Sequence, residues 1–507
     1  MKLKIFRNTI QGTLWGVLSK LTSMILLFTI RTIIIRIMGA EYAGINSLFT
    51  SLLQVLNLAE LGFGAAVVFA MYKPVFENDM IKLSAYLNFY RRVYFVIGLI
   101  ILAAGLLMLP FLKSFISGDA PLEINIYALY LIYLFNTVSS YFFWAYYNSI
   151  LFAYQRRADS SRIQVIVYFF SYIIQIGILL LTKNFYIFVS LVPITTIIYN
   201  FFVYRFVRRS YPRILPIGDI SSSEKKDIKK NVVALFVYKV GSTVTDSVDT
   251  IVISGFLGLI AVANYNNYLY VSTAVTGLLY VAFNSLTAGI GNRLLQNNIK
   301  TIRSDFYFIF SLNALAVIIC TTCMFNLYQD FITLWVGERY LLNIEVMSLF
   351  CAYFFLHCIR KTVIVYRDAA GMWQDTMFQP LVSSMLNLTL NLILIRYIGI
   401  IGILISTCFS MLFIDMPWET RKLFKERLYV SSKRYFVSVF LYTIIVLISC
   451  VSSNRIVASC GIEIIPIRMI ASLCISIFFG LGLFIIFSII SKDALYTRVL
   501  KRSNIFY

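Results

Sequence analysis

Histidine is nearly absent from this chain of 507 residues: there is one, His357. A histidine-built metal centre or a nucleophile–histidine pair has almost nothing to be made from. Cysteine offers little more. Of eight, only Cys320 and Cys323 form a C-x-x-C, and it lies inside an apolar run with no matching pair. Small apolar helix residues are the expected role, and His357, near a helix end, is read as structural. Charge is also scarce at 13% of residues, with 23 Asp and Glu against 44 Lys and Arg. Phosphate-binding glycine loops and metal-ligand clusters are missing too, so no enzyme and no cofactor are expected.

What abounds is apolar sequence. Hydrophobic residues make up 60% of the chain and aromatics 16%, with a mean hydropathy of +0.82. The runs are continuous rather than alternating, which favours helices over a membrane β-barrel. The expected fold is an all-α polytopic membrane protein of about fourteen transmembrane helices. They fall near 12–37, 43–68, 88–112, 124–152, 163–182, 185–205, 232–256, 264–290, 305–328, 345–366, 377–396, 399–417, 435–452 and 468–490. MKLKIFRN leads into the first helix without a small-residue cleavage site, so no removable signal peptide is expected.

The net charge of +21 sits mainly between the apolar runs, which argues for membrane orientation and against nucleic acid. With the N-terminus inside, 34 of the 44 basic residues are cytoplasmic and 7 are outside. The remaining three, Lys20, Arg31 and Lys239, lie within helices. Both termini are therefore expected in the cytoplasm.

The connection 205–231 carries two prolines, a serine run and eight basic residues, and it divides the chain. The domains are read as an N-terminal six-helix lobe (1–207), a basic cytoplasmic linker against an anionic membrane surface (208–231) and a second six-helix lobe (232–418). A basic connection with two more helices and a cytoplasmic tail (419–507) follows. Lys20 and Gly39 recur 219 residues later as Lys239 and Gly258. That spacing suggests pseudo-symmetric lobes repeated in the same orientation around a central lumen.

Within 31–64, Asn46, Thr50, Asn57 and Glu60 form one polar stripe at helical periodicity. The seventh helix places Lys239, Ser242, Asp246 and Asp249 on one face, and the eighth places Asn266, Thr273, Tyr280 and Asn284 on another. Exposing Lys20, Arg31, Glu60, Lys239, Asp246 and Asp249 to lipid would cost about 15–20 kcal/mol together. They must pair as buried glue or line a cavity. The cavity reading makes Lys20, Arg31, Asn57, Lys239, Asn266, Tyr280 and Asn284 substrate-binding residues, the amides and hydroxyls suiting a sugar. Glu60, Asp246 and Asp249 become the sites of a coupling ion, H+ or Na+. Ser384, Asn387 and Asn391 form a shorter stripe fit for helix–helix hydrogen bonding.

Arg31, Arg36, Gly39, Glu41-Tyr42-x-Gly44, Leu48-Phe49 and Leu58-Ala59-Glu60-Leu61-Gly62 resemble the N-terminal signature of the Wzx-type polysaccharide transporters. These are lipid-linked oligosaccharide flippases of the multidrug/oligosaccharidyl-lipid/polysaccharide (MOP) exporter superfamily. The resemblance implies two six-helix lobes around a cationic lumen and alternating access. It also implies movement of undecaprenyl-diphosphate-linked repeat units across the bacterial cytoplasmic membrane for capsule, O-antigen or exopolysaccharide assembly, with contact to polysaccharide polymerase machinery. Lys20, Arg31 and Lys239 match the cationic lumen, whereas Asp246 and Asp249 depart from it. A drug exporter of the superfamily, a peptidoglycan-precursor flippase and a membrane enzyme of polymer synthesis remain the alternatives, the last disfavoured by short outer loops.

Overall fold

The computed structural model describes residues 21–22, 24–60, 63–118, 120–284, 286–294, 298–372, 375–491 and 495–496. Among them every regular element is helical. In chain order these are α1 (24–37), α2 (Ala40–Leu56), α3 (Phe63–Glu77), α4 (Met80–Met108), α5 (Ile126–Phe142), α6 (Asn148–Ala153), α7 (Arg157–Thr182), α8 (Phe185–Ser210) and α9 (Ser222–Asn284). There follow α10 (Thr287–Leu294), α11 (Ile299–Trp335), α12 (Ile344–Ile359), α13 (Lys361–Ala369), α14 (Gln379–Ile398), α15 (Ile400–Ser410), α16 (Met416–Leu423), α17 (Lys433–Ser459) and α18 (Ile465–Ser491).

The burial pattern is that of a protein solvated by hydrocarbon. α18 buries Ser472, Ser476, Gly480, Phe484 and Ser488, one every fourth residue, while Ile470, Phe478 and Ile490 face outward. Small residues let helices approach where lipid supplies no hydrophobic drive between them. Asn326 of α11 donates to the Ser453 hydroxyl of α17 (2.7 Å) and the Ser476 hydroxyl of α18 (2.8 Å), joining three helices. The 384–391 stripe does the same for its pair: Asn387 donates to Thr407 (3.0 Å) and Asn391 to Asn387 (3.2 Å), and Ser406 donates to Asn391.

Among the described residues ten helices are long and apolar enough to cross a membrane, or eleven if the bent pair α5 and α6 is one span. One of these, Lys239–Val281, has 43 residues. At 1.5 Å per residue that is about 65 Å, twice the hydrocarbon thickness. Gly258 (φ 84°, ψ 179°) breaks it into two passes. Gly39, its expected counterpart, has φ 111° and ψ 167° between α1 and α2. Both glycines hold a positive φ that side-chain-bearing residues avoid. The segment expected as one helix at 43–68 is instead interrupted. α2 ends at Leu56 and Asn57–Glu60 form a 3₁₀ turn, before α3 continues to Glu77 through Pro74.

The chain divides into two compact units, Met1–Ala263 and Asn264–Tyr507. In the first, α2 lies so close to α9 that a Cβ on Gly44 would overlap the Leu259 carbonyl. Gly44→Ala is therefore expected to lower stability by about 1–3 kcal/mol, because backbone must move. Unchanged thermal unfolding of the purified variant would show that the contact yields freely.

The 211–221 connection is docked rather than loose. Ile214 and Ile220 are buried, Asn88 donates to the Gly218 carbonyl (2.7 Å), and Arg92 pairs with Asp219 (3.3 Å). α9 then starts with a capping box: the Glu224 amide donates to the Ser221 hydroxyl, and the Ser221 amide donates to the Glu224 carboxylate. The Lys82 ammonium at 2.8 Å, helped by Ser221 and Tyr86, holds the Glu224 carboxyl down to about 2.

Candidate functional site

The 3₁₀ turn at 57–60 puts two polar residues of the stripe against tyrosines of α4 and α5. Glu60 accepts from Tyr94 and, at 2.7 Å, from Tyr141, while Tyr90 donates to Tyr94 at 2.6 Å. The Tyr141 hydroxyl also lies 3.3 Å from the Asn57 carbonyl oxygen. Two turns earlier, Tyr133 donates to Asn46. The stripe therefore faces protein over most of its length, as the cost of turning amides and a carboxylate to lipid requires. Hydrogen bonds to an ionised group are stronger than neutral ones, so the tyrosines fix the Glu60 carboxylate in place.

Glu60 also opens onto a cavity of about 630 Å³ within the first unit. Its wall includes Tyr72, Tyr90, Tyr94, Asn148, Arg157 and Lys239. Aromatic faces, an amide, one carboxylate and two cations can hold an amphiphile with polar and anionic parts. Of the residues singled out in the sequence, Asn57, Glu60 and Lys239 thus converge on one region.

The others are placed separately. Arg31 is buried, and its guanidinium donates to the Ala263 carbonyl (2.9 Å) and the Ser47 hydroxyl (3.3 Å). Asp249 and Asn266 are buried. Lys20 lies outside the described residues, as do the side chains of Asp246 and Asn284. Tyr280 stacks on His357 (5.6 Å between centroids), and His357 stacks in turn on Tyr353 (5.7 Å). The Lys361 ammonium caps the Tyr280 ring at 3.9 Å.

Four charged residues that the sequence reading passed over form a buried network in the second unit. Arg360, at the α12–α13 junction, donates to Asp415 (2.9 Å) and Glu419 (2.9 Å). Arg367 donates to the other Glu419 oxygen (2.8 Å) and clamps Asp368. Gln379 completes the shell of Asp415. The available signal was Asp415 and Glu419 at i, i+4 beside an apolar run; their partners come from another helix and leave no local trace.

A second cavity, about 380 Å³, lies among α9, α11 and α18 of the second unit. Val271, Cys320, Cys323, Phe331 and Ile477 help line it, and both cysteines are free thiols. Its wall is apolar, which suits a hydrocarbon chain. Among the described residues no group of His, Cys, Asp or Glu could hold a metal ion.

No protein-family model matches the sequence, and no curated protein does. Solved structures do. A lipid II flippase, MurJ, in an inward closed conformation is 15% identical, with a TM-score of 0.70 over 94% of this chain and 99% of its own. An inward-facing multidrug resistance MATE family transporter of the MOP superfamily is 13% identical, with a TM-score of 0.61 over 80% and 94%. A Vibrio cholerae MATE transporter, VcmN, is 14% identical, with a TM-score of 0.59 over 83% and 98%. The chain is a polytopic helical membrane protein with the fold of the MOP-superfamily transporters.

Proposed function

We propose that this chain is a MOP-superfamily flippase of the bacterial cytoplasmic membrane. It moves undecaprenyl-diphosphate-linked oligosaccharide repeat units from the inner to the outer leaflet by alternating access, with both termini in the cytoplasm. The observation that carries the reading is the 630 Å³ cavity in which Lys239 and Arg157 accompany Glu60, tyrosines and an amide. A diphosphate needs cations and a glycan needs amides, hydroxyls and aromatic faces. Lys20 and Arg31 add to the positive charge that meets the diphosphate. Tyr280, Asn266 and Asn284 are assigned to the glycan, and Glu60, Asp246 and Asp249 to a coupling cation, H+ or Na+. A ligand shifts a conformational equilibrium only through its differential affinity for the states, so the cation must bind one access state better.

The full-length match to the lipid II flippase favours a peptidoglycan precursor as the second reading. Deleting the gene and identifying the accumulating lipid-linked sugar by mass spectrometry separates the two. The expected result is an undecaprenyl-diphosphate-linked repeat unit trapped inside, with its polymer lost from the surface. Accumulated lipid II would transfer the chain to the second reading. Drug sensitivity without any trapped intermediate would make it an exporter.

A further inference from the structure

The stretch from α15 through α16 is two-faced. Its carboxylates, Asp415 and Glu419, turn inward to Arg360 and Arg367. On its outer side Phe413, Ile414, Pro417, Trp418, Arg421, Lys422 and Lys425 line a groove of about 340 Å³. Glu426 shares that groove and is paired with Lys422 at 3.2 Å. Arg421 and Lys425 are exposed and make no ion pair among the described residues. Toward the start of α15 the same exposed side continues as Ile405, Phe409 and Leu412. The surface thus grades from aliphatic and aromatic, through a proline and a tryptophan, to three cations. Two π-helical turns, Met411–Asp415 and Phe424–Leu428, bracket it.

The geometry points to a binding site for an anionic phospholipid of the surrounding bilayer. Its phosphate would lie against Arg421, Lys422 and Lys425, its glycerol at Trp418, and an acyl chain along Phe413, Phe409 and Ile405. From Arg421 to Phe409 the helix rises about 18 Å, close to the length of an extended acyl chain. Tryptophan favours the headgroup level, and basic side chains at a helix end select anionic headgroups. An acidic protein segment would leave the apolar half unused, and free phosphate would need none of it. Placement in the inner leaflet rests on the proposed topology. The binding itself does not, so the test below stands whether or not the transported substrate is as proposed.

The experiment is native mass spectrometry of the purified full-length protein in detergent with phosphatidylglycerol or phosphatidylethanolamine. The wild type should retain phosphatidylglycerol preferentially. Each of Arg421→Gln, Lys422→Gln and Lys425→Gln should weaken that preference about fivefold, and the triple variant roughly a hundredfold. Trp418→Ser should weaken retention of both lipids. Neutralising three scattered exposed cations, Lys113, Lys183 and Arg455, serves as the charge-matched control and should change nothing. Equal retention of the two lipids by the wild type would overturn the assignment. So would an undiminished preference in the triple variant, an equal loss in the control, or displacement of the lipid by millimolar inorganic phosphate. All these substitutions are at exposed or half-exposed positions, and size-exclusion profiles verify that the variants remain folded.

Discussion

Glu419→Ala will destabilise the second unit by about 3–5 kcal/mol, because it leaves two buried guanidinium groups short of a counter-charge. Glu419 is 2% exposed and accepts from Arg360 at 2.9 Å and Arg367 at 2.8 Å through different oxygens. Once it is gone, Arg360 still has Asp415 and Arg367 still has Asp368, whose side chain is partly open to solvent. The control lies seven residues on. Glu426→Ala breaks the half-exposed pair with Lys422, and such pairs contribute roughly 0–1 kcal/mol. Thermal unfolding in detergent should separate the two variants by on the order of 10 °C. Adding Arg367→Met to a Glu419→Leu background should recover most of the loss, since Arg360–Asp415 then remains as a balanced pair. Equal melting of Glu419→Ala and Glu426→Ala would mean the network contributes no more than a surface contact.

The network also marks where local pattern stops informing. Arg360, Lys361 and Arg367 read as basic residues of an inner connection, whereas all three are buried. Charge bias along the sequence does not report a partner 52 or 59 residues away. The helices were legible because apolar runs of spanning length have few other uses. So was the turn at Gly258, through its likeness to Gly39. The 3₁₀ break at 57–60 was not, since its residues continue a helical stripe in sequence. The candidate site was half visible. Asn57, Glu60 and Lys239 stood out as polar residues in apolar surroundings, but Tyr94 and Tyr141 are two of 34 tyrosines. Only the packing of α4 and α5 around the turn selects them. Arg31 stood out equally, but its bonds to Ser47 and the Ala263 carbonyl, 16 and 232 residues away, could not be read from the sequence.

Glu60→Gln should lower transport about 10–100-fold while leaving the protein folded. The substitution keeps size and one acceptor oxygen but removes the charge to which Tyr94 and Tyr141 donate. Hydrogen bonds to charged groups contribute about 1.5–3 kcal/mol, and that range corresponds to the stated loss if the charge matters chiefly in one access state. Tyr94→Phe retains the carboxylate and the Tyr141 bond, so its expected loss lies at the low end of that range, about tenfold for roughly 1.5 kcal/mol. Lys239 stands in the same cavity wall, and Lys239→Gln should weaken substrate binding without removing the response to an ion gradient. The measurement is translocation of a fluorescent lipid-linked oligosaccharide in proteoliposomes under an imposed proton or sodium gradient. If Glu60 binds the coupling ion, Glu60→Gln loses the gradient response along with the rate. If the carboxylate only orders α4 and α5 around the turn, Tyr94→Phe and Glu60→Gln lose rate and thermal stability in parallel, and the gradient response survives. Full-rate, gradient-responsive transport by Glu60→Gln would remove the residue from the mechanism.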